Sequence, residues 1–153
     1  MSEKYKVYDS TRPTFVTITV VGWVDVFTQN KYTEILDDAI QYCIKNKGLI
    51  VNAYVYMTNH IHLIARSDTA LLQDIIRDFK KFTSKEMIIA IKEGIESRKE
   101  WMLNKFSFEA KRTNRTSSYK FWRDGFHPIE LDATRLIEQK MNYIHQNPVK
   151  RGF

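Results

Sequence analysis

Residues 49–67, LIVNAYVYM followed by TN and HIHLIARS, constrain this chain more than any other stretch. Two runs dense in β-branched and aromatic residues are separated only by Thr58 and Asn59, which reads as an antiparallel hairpin. The segment TFVTITVVGW (14–23) has the same character and reads as another strand. Between them, NKYTEILDDAIQYCIKN (30–46) places Tyr32, Ile35, Leu36, Ala39, Ile40 and Cys43 at helical spacing, and Gly48 ends the helix.

A second helix is expected from Thr69 or Ala70 through LLQDIIRDFKKFTSKEMIIAI, with Gly94 as its weak point. Residues 97–119 take no clear assignment, and their Thr, Asn, Ser and Arg-rich end reads as a loop. KFWRDGFHPIE (120–130) reads as extended in part. Leu131 or Asp132 opens a last helix that Pro148 is expected to stop. The order β-α-β-β-α-(β)-α suits an α+β, ferredoxin-like (RRM-like) antiparallel sheet with helices on one face, plus a C-terminal helix. Residues 1–153 form one domain, because no linker, repeat or low-complexity tract divides them.

Hydrophobic residues make up 43% and charged residues 27%, a balance typical of globular chains rather than disordered ones. The polar start MSEKYKVYDSTRP predicts no secretory leader, and no apolar run reaches the roughly 20 residues of a membrane span. Cys43 is the only cysteine, which excludes an internal disulfide and a cysteine-based zinc cluster and makes a reducing, cytoplasmic setting the expectation. The net charge of +6 is concentrated: Arg77 to Arg123 holds 13 Lys and Arg against 6 Asp and Glu, an excess of +7. Such a segment suits a polyanion such as nucleic acid, or a long solvated helix that carries many lysines.

Alternation on a strand sends His60, His62 and Ile64 to one face and Ile61, Leu63 and Ala65 to the other. If the latter three are buried, the two imidazoles project together with Cβ atoms about 6–7 Å apart. A pair at that spacing can share one divalent ion and leave coordination positions open for water or a phosphate oxygen. The alternative is structural, with His60 capping the turn and His62 half-buried on its strand. A catalytic reading needs a third ligand and a reactive group. MNYIHQNPVKRGF (141–153) offers both, since Tyr143 and Asn147 lie four apart on one helical face that Arg135 and Gln139 extend, while His145 points elsewhere. Tyr143 as a packing aromatic and Asn147 as a helix-end residue is the other reading.

The stretch from Tyr54 or Tyr56 through Ile64, with its NHIHLI core, resembles the MPNHVHLL signature of single-tyrosine HUH transposases. The ending YIHQNPVKRGF is similar to the YIHxNPVRAG ending of the branch of REP-associated tyrosine transposases. FKKFTSKEM (79–87) resembles that branch's FKRFTS helix, and FWRDGFHPIEL (121–131) resembles its tryptophan-bearing segment before the last helix. Four motifs in the same order cover most of the chain from Val51 onward. Thr58, where the family usually has proline, and VKRGF in place of VRAGL are the departures.

The resemblance implies a metal site of His60, His62 and Asn147 holding Mg²⁺ or Mn²⁺, with Tyr143 as the nucleophile. It implies nicking and rejoining of single-stranded DNA flanked by hairpins, through a 5′-phosphotyrosine link and a free 3′-hydroxyl. A free phenol titrates near about 10, so such a tyrosine needs a neighbouring metal or base. Lys80, Lys81, Lys85, Arg112 and Arg115 are the expected phosphate contacts. Phe79, Phe82, Phe121, Trp122 and Phe126 are candidates for stacking on bases, against the commoner role of core aromatics. A hairpin-binding module without catalysis and another HUH nuclease, such as a replication initiator, stay open. Relatives of this kind include monomers and dimers that exchange tyrosine helices, and a homodimer is the slightly preferred expectation.

Overall fold

The computed structural model describes residues 6–150, the side chains of 147–150 excepted. Strand β1 (Thr14–Thr19) is followed by helix α1 (Asn30–Asn46), the hairpin β2 (Ile50–Tyr56) and β3 (His60–Arg66), and helix α2 (Leu72–Glu93). Helix α3 (Lys99–Arg112), the short strand β4 (Ile129–Glu130) and helix α4 (Thr134–Lys150) complete the chain. The sheet order is β2-β3-β1-β4 and every pairing is antiparallel. Strands β1 and β2 therefore run parallel on either side of β3, joined by α1, which is the ferredoxin-like arrangement that the order of elements predicts.

The two sheet faces bury different helices. Val16, Ile18, Ile61, Leu63 and Ala65 pack with Tyr32, Leu36 and Ile40 of α1 and Leu72, Ile76 and Phe79 of α2. Phe15, Ala53, Val55 and Ile64 of the opposite face pack with Leu131 and Ile144, and with Leu136, Ile137 and Met141 of α4. The helices are thus not confined to one face: α1 and α2 cover one side, and α4 lies across the other. Ile18, Ile61 and Leu63 are essentially inaccessible, and each such side chain stabilises the fold by about 1.5–3 kcal/mol.

Three boundaries differ from the sequence expectation. β1 stops at Thr19, because Gly22 and Trp23 both take positive φ (64° and 55°) in a tight turn at Val21–Trp23. Residues 99–112 form α3, whose inner face carries Met102, Phe106, Glu109 and Ala110 while Trp101 and Phe108 stay exposed. That mixture blurs the helical period in the sequence. α4 starts at Thr134 and extends past Pro148 to Lys150; a proline in the closing turn removes one backbone donor without ending the helical path.

Candidate active site

Register brings the site together. On β1, Thr17 stands opposite His62 and Thr19 opposite His60, and alternation turns His60 and His62 to the face that α4 crosses. Ile61, Leu63 and Ala65 are buried on the other side, the condition under which the imidazoles project together. The imidazole centroids are 4.8 Å apart with planes at 78°. Burial of Ile144 in the α4 core fixes the helix so that Tyr143 meets His62, with ring centroids 5.5 Å apart at 69°. Tyr143 is 47% exposed. The Phe15 ring stacks on His62 at 5.0 Å, and Lys140 Nζ lies 4.7 Å from the Phe15 centroid and 5.8 Å from that of Tyr143.

Both imidazoles are oriented through Nδ1. His60 Nδ1 lies 2.7 Å from Asn59 Oδ1, and the Asn59 amide nitrogen donates to Asp25 Oδ1 at 3.2 Å. Because Asn59 Oδ1 only accepts, His60 Nδ1 carries the proton. Asp25 Oδ1 also accepts from the Thr58 hydroxyl at 2.7 Å, which pins the hairpin turn. His62 Nδ1 lies 3.0 Å from Thr17 Oγ1, while its Nε2 is buried with no hydrogen-bond partner among the described residues. Burial first, then the neighbouring His60 and Lys140, pull the His62 imidazole down to about 4, so it is neutral at pH 7.

A buried orphan nitrogen on a neutral imidazole is costly unless something takes its lone pair. In the tautomer whose Nδ1–H donates to Thr17 Oγ1, His62 Nε2 has the form a divalent metal ligates. Two nitrogens are too few to close a site, and among the described residues no group of three His, Cys, Asp or Glu side chains is placed to hold an ion. The third ligand implied by the resemblance, Asn147, lies one turn beyond Tyr143 on α4, with its side chain outside the described residues. Among the described residues the donors are these two imidazole nitrogens, which suit a metal site that keeps open positions.

The basic residues are divided. Lys81 and Lys85 are exposed on α2, and with Arg77 and Arg115 they line a groove of about 920 Å³ between α2 and residues 115–126. Lys80 also lines it, but its ammonium donates to the carbonyls of Arg123 and Gly125 at 2.8 and 2.6 Å, and burial lowers it to about 8. Arg112 pairs with Glu109 at 2.7 Å, and Arg115 pairs with Asp124. The groove is bounded by α2, so it lies on the α1/α2 side of the sheet, across from the histidines. Phe79, Phe121, Trp122 and Phe126 are core residues, and of the five aromatics proposed for stacking only Phe82 is exposed.

Thr17, Asp25 and Lys140 carry no signal of their own in the sequence, whereas Asn59 belongs to the NHIHLI motif. Thr17 follows from alternation only once the β1/β3 register is known, and Asp25 is 34 residues from Asn59.

These features define a class: a ferredoxin-like α+β protein with a histidine pair on the central strand, facing a tyrosine from a C-terminal helix. Several solved structures share the fold, two of them as follows. One is the REP-associated tyrosine transposase bound to a REP hairpin, at 19% identity over 99% of this chain and 75% of that one, TM-score 0.66. The other is a candidate transposase from Deinococcus radiodurans R1, at 13% identity over 95% of this chain and 97% of that one, TM-score 0.51. No protein-family model and no curated protein matches the chain. The shared fold is the one that the motif resemblance implies.

Proposed function

We propose that this protein is a metal-dependent, single-strand DNA transposase that nicks and rejoins hairpin-flanked DNA with Tyr143 as nucleophile. The observation that carries the proposal is the buried Nε2 of His62, without a hydrogen-bond partner among the described residues, beside the exposed ring of Tyr143. His60, His62 and Asn147 would hold Mg²⁺ or Mn²⁺, which when bound polarises the scissile phosphate and offsets its developing charge. The Tyr143 oxygen attacks phosphorus and releases its proton, the bond to the 3′ oxygen breaks, and that oxygen leaves as a free hydroxyl. The 5′-phosphotyrosine ester conserves the phosphodiester energy, so a second 3′-hydroxyl can reverse the step. Lys140, beside the Tyr143 ring, adds positive charge where a phosphate would sit.

Lys81 and Lys85 in the groove would take the hairpin's phosphates. Lys80, Arg112 and Arg115 would join them only by giving up the partners they hold here. The REP-associated tyrosine transposase of similar fold is bound to a REP hairpin, which supports this choice of partner.

The test is to incubate the protein with labelled, hairpin-flanked single-stranded DNA and Mn²⁺, then run a denaturing gel. A covalent adduct that disappears with Tyr143→Phe and with EDTA is expected. Tight binding to authentic DNA without any adduct would overturn the catalytic proposal and favour a binding module.

A further inference from the structure

Trp23 is 57% exposed and takes φ 55°, a left-handed conformation that bulky residues avoid. It packs into no core, yet several contacts hold it. Its amide donates to the Val20 carbonyl at 3.2 Å, and its own carbonyl accepts from the Asn59 side chain at 3.4 Å. Its ring meets His60 edge-on at 6.2 Å, and the Arg123 guanidinium carbon lies 5.8 Å from its centroid. On the next turn of surface, Lys105 covers Gly22, where an added Cβ would lie 2.3 Å from Lys105 Cε. Lys105 Nζ is 3.3 Å from buried Glu109 and 5.5 Å from the ring of Phe108, itself 56% exposed.

We infer that Trp23 is a stacking platform for an unpaired DNA base next to the phosphate at His60, with Arg123 and Lys105 contacting the adjoining backbone. The inference rests on the proposed function and adds a strand-binding track to it. Rings and cations alternate from His60 through Trp23 to Phe108, the combination that holds a single strand without reading its sequence. A duplex, whose bases are already stacked, gains nothing from an exposed indole. Strain at an exposed aromatic contacting a candidate ligand residue has no packing purpose in the free protein.

The test compares binding of two DNAs to the full chain by fluorescence anisotropy: a hairpin alone, and the same hairpin with a single-stranded extension. Trp23→Ala and Trp23→Gly are expected to weaken binding of the extended DNA about ten-fold and leave the bare hairpin unchanged. Trp23→Phe is expected to retain most of the binding. Trp23→Gly is also expected to raise the melting temperature, since glycine takes positive φ freely, so lost binding cannot be assigned to unfolding. Equal affinity of all variants for the extended DNA overturns the inference, as does an equal loss on both DNAs. A native protein without preference for the extension overturns it too, whatever the Tyr143 adduct assay gives. If the stacking pattern holds and no adduct forms, the catalytic proposal fails and the strand track stands.

Discussion

Replacing Glu96 by glutamine tests the network that supports the loop beneath the site. Glu96 is 8% exposed and accepts from Tyr32 Oη at 2.9 Å, Gln29 Nε2 at 3.2 Å, and Arg98 through its backbone amide, Nε and Nη2 at 3.1, 3.0 and 3.2 Å. Arg98 Nη1 in turn donates to the Asp25 carbonyl at 2.7 Å, tying the α2–α3 corner to the residue that orients Asn59 and His60. The Arg98 side-chain bonds, before any other influence, hold the Glu96 carboxyl down at about 2 against an ordinary 4.5. That difference corresponds to about 3 kcal/mol of folding stability at neutral pH. Solvent at the 32%-exposed Arg98 side chain reduces it to roughly 2 kcal/mol.

Because the folded-state value is depressed, the contribution is fully present above pH 4.5 and is lost as pH falls through about 2. Glu96→Gln preserves shape but not charge, so urea unfolding at pH 7 should show the variant about 2 kcal/mol less stable. The gap should close between pH 4.5 and 2. Other carboxylates titrate in both proteins and cancel in the comparison. A gap of constant size from pH 7 to 2, or none at pH 7, would refute the reasoning.

Three further outcomes are expected. Mn²⁺ at about a hundred times its dissociation constant should stabilise the protein by about 2.7 kcal/mol in thermal melts, an effect that EDTA or His62→Ala removes. Gly48→Ala, at φ 80° with a Cβ 2.2 Å from Thr69 Oγ1, should cost about 1–3 kcal/mol in urea unfolding; adding Thr69→Ala should restore only part of it, because the backbone strain persists. Phe106→Ala, which empties a fully buried position between α3 and Phe121, should lower unfolding stability by about 3–5 kcal/mol.

Local periodicity determined a good deal by itself. The hairpin over 49–67, the helix over 30–46 and the opposite facing of His62 and Leu63 all depend on spacing within a few residues. So does the placing of Tyr143 and Asn147 one turn apart on a helix. The fold class followed from the order of these elements. Tertiary structure decided what no local pattern encodes: that α4 covers the face opposite α1 and α2, that Thr17 meets His62, and that Asp25 reaches Asn59. It also separated the basic groove from the histidine pair and left Trp23 outside the strand it seemed to continue. α3 stayed illegible because its exposed Trp101 and Phe108 and its buried Glu109 invert the usual pattern, Glu109 being tolerable inside only through Lys105 and Arg112. A sequence period reports which face of an element is apolar. Which other element covers that face is set by burial summed over distant segments, and only the assembled fold contains that sum.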